Sequence, residues 1–258
     1  MDTPKVLTFE VVDDLAFGAT GNGQQQRDYR IAPRQIGPLV EFALLTEQGS
    51  VGSSNGVAKS GALWSLLTSP ARNTVIELGD GTGFMRLGGS DIAATELTRL
   101  SIVAKKAALK VGFGDRPAGQ LSAALSELLS NIVEHSEAAE TGLVGYQALD
   151  GHFSFVVADQ GIGALQSLRS NPRFAQLATD REALPMVLQD GCSRMSDPVR
   201  GRGFNGIFEG LANHSGALRF RSGDAAVLID GRNPTAIRPT VKKRPRLRGF
   251  LASISCAP

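Results

Sequence analysis

Ala123-Ala-Leu-Ser-Glu127-Leu-Leu-Ser-Asn131-Ile-Val-Glu-His135-Ser136 is the stretch on which the reading of this chain turns. Apolar residues at Leu121, Ala124, Leu125, Leu128, Leu129, Ile132 and Val133 recur with the period of a helix that buries one face, expected from about Pro117 to His135. Glu127 and Asn131 stand four residues apart and so share one side of that helix, beside or inside the core. A carboxylate so placed can act as general base on water or a hydroxyl, and an asparagine carbonyl is a hard oxygen suited to Mg2+. Alone, such a stripe is more often just a solvated polar face.

Working outward, Gly142 to Ala148 and His152 to Ala158 read as two strands joined by a turn at Asp150-Gly151. The run Phe153-Ser-Phe-Val-Val-Ala158 is apolar throughout, as in a strand buried on both faces, and it ends in Asp159. A carboxylate there can accept a hydrogen bond from an exocyclic amine such as that of adenine. Gly161 and Gly163 let the backbone turn tightly beside a flat ligand. An ordinary Asp-x-Gly turn fits the same residues about equally well. Further on, Arg200-Gly-Arg-Gly203-Phe-Asn-Gly206-Ile207 places Gly201, Gly203 and Gly206 around an expected helix start, where backbone N–H groups favour an anion. Arg200 and Arg202 can add charge-assisted bonds to phosphate oxygens. The competing reading is a flexible basic loop before a helix cap.

The remaining elements follow by pattern. A helix capped by Ser90 or Asp91 is expected to end at Gly112 and Gly114. Gly163 to Arg202 mixes short apolar groups with Pro172, Pro185 and Pro198 and is expected to be a long irregular connection, functional or disordered. After a helix near Gly203 come three strands: Ala217 to Arg221, Ala225 to Ile229 and Gly249 to Ser255. The order implies an α+β domain, a mixed sheet with helices on one face. The first ninety residues are weaker: a strand from Val6 to Val12, a polar loop from Gly18 to Gln26, short helices at Ile36 to Thr46 and Gly61 to Thr68, a Gly/Ser loop from Gly49 to Ser54, and strands at Thr74 to Leu78 and Phe84 to Leu87 joined by Gly79-Asp-Gly-Thr-Gly83. No lysine follows those glycines, so a turn is expected there rather than a phosphate loop.

Composition narrows the class. The 258 residues suffice for one large domain or two small ones, and 42% hydrophobic with 20% charged residues is ordinary for a globular chain. A net charge of +2 gives no global basic field for nucleic acid. No signal segment and no uncharged stretch of transmembrane length is seen, so no membrane association is expected. Cys192 and Cys256 are too few for a disulfide framework or a zinc site, which points to a reduced, cytoplasmic protein.

Taken in order, the three segments resemble the asparagine box and two glycine boxes of the ATPase superfamily of gyrase, the ninety-kilodalton heat-shock chaperones, sensor histidine kinases and MutL. The stretch from Ala123 to Ser136 is similar to that of the stand-alone bacterial anti-sigma-factor serine kinases. Gly191-Cys-Ser193 and Gly216-Ala-Leu-Arg-Phe-Arg-Ser-Gly223 also fit. Phe204-Asn205 departs from the leucine-rich run that follows the last glycine box in the family. The resemblance covers about Ser90 to the last residues. It implies a Bergerat-type two-layer α/β sandwich with an ATP lid over residues 87–258, preceded by a small α/β N-terminal region over 1–86. Glu127 would then be the catalytic base and Asn131 the Mg2+ ligand, Asp159 would read adenine beside Gly161 and Gly163, and His135 would lie near the phosphates. Gly201 and Gly203 would hold the phosphates at the hinge of a mobile lid from Gly163 to Arg200.

The three histidines, His135, His152 and His214, all lie inside the expected ATPase domain, so autophosphorylation on an upstream histidine is not expected. What remains is a stand-alone ATPase or serine/threonine protein kinase acting on a small regulatory partner, with ATP and Mg2+ as cofactors and a homodimer as one possible assembly. The alternative is an ATP-gated binding switch with little turnover. The basic stretch from Arg232 to Arg248, including Arg238, Lys242, Lys243, Arg244 and Arg246, reads as a solvated hairpin; an acidic partner or nucleic acid is the sharper alternative. Residues 1–86 are expected either to sense or dock a partner, or to pack on the ATPase sheet.

Overall fold

In the computed structural model, residues 5–20, 31–52, 56–79, 81–187, 216–230 and 240–258 are described. Their elements, in chain order, are β1 (Lys5–Val6), α1 (Phe9–Thr20), β2 (Ile31–Ala32), α2 (Ile36–Glu47), α3 (Ala62–Leu67), β3 (Ile76–Leu78), β4 (Thr82–Arg86), α4 (Ala94–Lys110), α5 (Asp115–His135), β5 (Leu143–Leu149), β6 (His152–Asp159), α6 (Gly163–Arg169), α7 (Asp180–Val187), β7 (Gly216–Asp230) and β8 (Thr240–Cys256). The protein is an α+β fold built on a six-stranded sheet of order β3-β4-β5-β6-β8-β7, with β1 and β2 forming a separate parallel pair. Every neighbouring pair in the six-stranded sheet is antiparallel, so the expected mixed sheet is corrected.

Strand alternation explains both faces. Val144 and Tyr146 on β5, Phe153, Phe155 and Val157 on β6, and Ala252 and Ile254 on β8 point to one side, where they join Leu121, Leu125, Leu128 and Leu129 of α5 and Leu100 and Ala104 of α4. The intervening residues Leu143, Val156, Ala158 and Leu251 point to the other side and pack with Val12 of α1, Leu39, Phe42 and Leu45 of α2, and Leu66 of α3. Helices therefore cover both faces, not one. β6 reads as a continuous apolar run because it is buried twice over. β3 and β4, which precede the boundary expected at residue 86, are the first two strands of this same sheet.

Contacts between α2 and the sheet are close. The Gln147 carboxamide on β5 accepts the Ile36 N–H at 3.1 Å and donates to the Arg34 carbonyl at 3.0 Å, so a strand side chain caps the start of α2. Asp13 of α1 and Glu41 of α2 are buried against Arg219 and Arg221 of β7. Arg219 donates to Glu41 at 2.7 Å and to Asp13 at 2.6 Å, Arg221 also pairs with Glu41, and Arg244 reaches Asp13 at 2.7 Å. Burial opposes the Arg219 charge, but Glu41 and Asp13 outweigh it and raise its pKa; at Arg221 burial prevails and lowers it. The N-terminal residues thus form an extension packed on the back of the sheet.

Four local expectations change. The strand from Val6 to Val12 is limited to Lys5–Val6; α1 takes over, with Thr8 Oγ1 accepting the Val11 N–H at 3.3 Å as its cap. α4 begins at Ala94 without a side-chain cap, instead of at Ser90 or Asp91. The strands expected at Ala217 to Arg221 and Ala225 to Ile229 are one strand, β7, continuous through register shifts at Ser222/Gly223 and Gly223/Ala225. A bulge bends a strand without ending it, which the Ser-Gly-Asp signal does not distinguish from a turn. Finally, residues 163–187 form α6, a short 3-10 turn at Pro172–Phe174 and α7, with a small core of Leu168, Phe174, Leu177 and Ala183. Helices of seven or eight residues are too short for periodicity to separate them from irregular chain. Arg238, His214, Gly191, Cys192, Ser193, Pro198, Phe204, Asn205 and the helix expected at Gly203 lie outside the described residues.

Candidate functional site

The site forms where the end of α5 meets the turn after β6. α5 presents its leucines to the sheet, which leaves Glu127 exposed and Asn131 and His135 half-buried along the next stripe. That stripe runs along the margin of the core, with Glu127 open to solvent. Immediately beyond it, the Ser136 carbonyl accepts the Ile162 N–H at 2.9 Å. Gly161 lies so close that a Cβ there would overlap this same carbonyl, which is the physical requirement for glycine at that position. The first two sequence segments are therefore joined by backbone contact.

Asp159 ends β6 and is 3% exposed. Its Oδ1 accepts the Gly161 N–H at 2.8 Å. Burial pushes its carboxyl pKa up to about 6, partly offset by hydrogen bonds from the backbone N–H groups of Gly161 and Phe250. Among the described residues no cation pairs with it. A carboxylate in such surroundings has acceptor capacity left for a ligand donor.

Gly163 adopts a positive φ of 73° at the start of α6, and the adjacent Ala164 N–H donates to Ser222 Oγ at 2.9 Å. Ser222 in turn donates to the Gly249 carbonyl at 2.9 Å, so the second glycine of the turn is tied to β7 and β8. Thr141 accepts the Gln160 N–H at 2.9 Å through Oγ1. Ser136, Thr141, Gln160 and Ser222 thus shape the turn, although sequence reasoning did not select them. Small hydroxyl residues carry no periodic signal; Ser136, Gln160 and Ser222 lay within segments singled out for other residues, and Thr141 lay outside them.

Arg200, Gly201, Arg202, Gly203 and Gly206 lie outside the described residues, as does the second half of the expected lid. Its first half, from Gly163, is the α6–α7 pair, and α7 packs on β7. No group of three or more His, Cys, Asp or Glu side chains suited to a metal occurs among the described residues. A protein-built metal cage is therefore not what these residues supply; a single carboxamide such as Asn131 fits a Mg2+ that takes most of its oxygens from phosphates and water. Cys256 is buried in the sheet and its thiol is pushed up to about 12 by burial, so it is an inert core residue. Among the described residues no helix is long and apolar enough to cross a membrane.

In comparisons with known proteins, no family model matches the chain and no curated protein matches it.

Proposed function

We propose that the junction of α5 with the β6–α6 turn is the adenine end of a Mg-ATP site, in a protein of the gyrase, heat-shock chaperone, histidine kinase and MutL superfamily with a Bergerat-type arrangement. The observation that carries this reading is Asp159: a buried carboxylate without a cation among the described residues, beside a glycine too close to α5 for any side chain. Asp159 would accept the exocyclic amine of adenine, and Gly161 and Gly163 would let the base lie against the backbone. Asn131 would hold Mg2+, which when bound neutralises phosphate charge. Glu127, exposed on the same helix, has access to water or a partner hydroxyl and would take its proton. The resemblance, rather than the geometry, supplies the idea of a small regulatory protein as phosphoacceptor. The Arg200–Gly206 segment would serve the phosphates.

Calorimetric titration with Mg-ATP tests the site. Binding by the wild-type protein that is lost in Asp159→Ala is expected. Affinity should also fall about tenfold per pH unit below about 6, as Asp159 takes up a proton and loses its acceptor role. ADP release that disappears in Glu127→Ala supports an ATPase or kinase; tight binding with no ADP release supports the ATP-gated switch. No ATP binding by the wild-type protein would sink both.

A further inference from the structure

The turn that carries Asp159 is gripped from behind by the N-terminal layer, through a set of side chains that the nucleotide reading does not use. Gln160, the residue directly after Asp159, donates through its carboxamide nitrogen to Glu47 Oε2 at 3.0 Å and accepts from Gln48 Nε2 at 3.2 Å. Glu47 and Gln48 stand at the end of α2. Gln48 also treats β8 as a neighbouring strand would: its Oε1 accepts the Arg248 N–H at 2.7 Å and its Nε2 lies 3.3 Å from the Arg248 carbonyl. Ser50 adds a bond to the Arg246 carbonyl at 3.1 Å. β6 and β8 pair directly up to Asp159 and Phe250 and part beyond them. The end of α2 spans that gap.

Glu47 is itself oriented from the far side. Arg86 of β4 donates to the Leu67 carbonyl at 2.8 Å and approaches Glu47 at 3.8 Å. A continuous chain of polar contacts therefore runs from the end of α3 through Arg86 and Glu47 to Gln160, and from Gln48 to β8. Each bond is modest at a partly exposed position, but together they fix the side chain that directly follows the base-reading carboxylate.

We propose that Glu47, Gln48 and Gln160 are positioning residues: through them the N-terminal layer sets the place of Asp159, and so controls how strongly the site prefers adenine. This rests on the nucleotide reading given above. The consequence is that anything that shifts the end of α2 retunes base selectivity without touching the pocket.

The test compares ATP with inosine triphosphate, which presents a carbonyl where adenine has its amine and so removes the exocyclic donor that Asp159 would accept. Gln160→Glu sets two carboxylates against each other and should lower the ATP preference about tenfold, with inosine triphosphate affinity unchanged. Adding Glu47→Gln exchanges donor and acceptor, rebuilds the pair and should restore the preference. An unchanged preference in Gln160→Glu, or a loss that the swapped pair does not repair, overturns the proposal. If the wild-type protein binds neither nucleotide, or both equally, the reading of Asp159 fails. The mechanical part is then decided by hydrogen exchange at the Gly161 amide, which is bonded to Asp159. Faster exchange in Gln160→Glu that the swapped pair reverses supports the clamp, and unchanged exchange overturns it.

Discussion

Acid is buried in two regions of this protein and is treated differently in each. Where side chains of α1 and α2 meet those of β7, Asp13 and Glu41 are enclosed together with Arg219 and Arg221, and the side-chain bonds of Glu41 go to guanidinium groups. At the end of β6, Asp159 is as deeply enclosed but has only backbone N–H groups for company. The paired cluster behaves as architecture: its charges cancel, and its directional bonds fix how the N-terminal helices lie on the sheet. The lone carboxylate is an unsettled charge. A position that costs folding free energy and is nevertheless acidic is one where a ligand donor has something to gain.

The largest effect should come from breaking the paired region. Glu41→Ala leaves two arginines buried without their main counter-charge and should destabilise by about 3–5 kcal/mol in urea unfolding, whereas replacing all four charged residues by well-packed apolar ones should recover most of that loss. A small cost for Glu41→Ala alone would mean that the cluster is hydrated and not architectural.

Asp159 should respond with the opposite sign. Its folded-state pKa of about 6 lies above the ordinary 3.8, so the folded protein binds the proton more tightly. The associated stability is fully present below about pH 4 and is lost as pH rises through 6, amounting to roughly 3 kcal/mol. Asp159→Asn should therefore be more stable than wild type at pH 8, with the difference shrinking as pH falls from 6 towards 4. Thermal melts across that range check it, and a difference that grows on acidification would remove the contrast between the two regions.

Gly161→Ala probes the same end of the sheet by volume instead of charge. Its new methyl group meets the Ser136 carbonyl, so a cost of about 1–3 kcal/mol is expected together with loss of ATP binding. Retained binding at full affinity would show that the α5–turn contact is not part of the pocket. Arg99→Ala is the surface control. Its bond to Glu77 at 3.0 Å joins two exposed side chains, and the loss should stay below about 1 kcal/mol.

The same contrast marks how far the sequence could be read. α5, β5 and β6 were legible because each repeats a period over many residues, and Asp150-Gly151 announced its turn, where both residues take a positive φ. The covering of the second face was hidden in α2. Leu39, Val40, Phe42, Leu44 and Leu45 are buried all round, so the helix has no polar stripe to reveal which way it faces. One clue was available: Arg219 and Arg221 alternate with Leu218 and Phe220, which asks for acidic partners on the far side of β7. Sequence spacing brought Glu127, Asn131 and Asp159 to notice, but the side chains that hold the adjoining Gln160 are Glu47, Gln48 and Thr141, which no local motif connects to it.

The sheet order carries a kinetic consequence. β8 is the last of the six strands along the chain, yet it lies between β6 and β7, and among the described residues β7 has no other partner in the sheet. Until β8 inserts, β6 presents an open apolar edge and β7 cannot dock at all, so α1 and α2 have no arginines to receive them. Such late closure by contacts far apart in sequence makes for slow folding and a sticky intermediate. Refolding yield should accordingly fall with protein concentration more steeply than native stability alone would suggest.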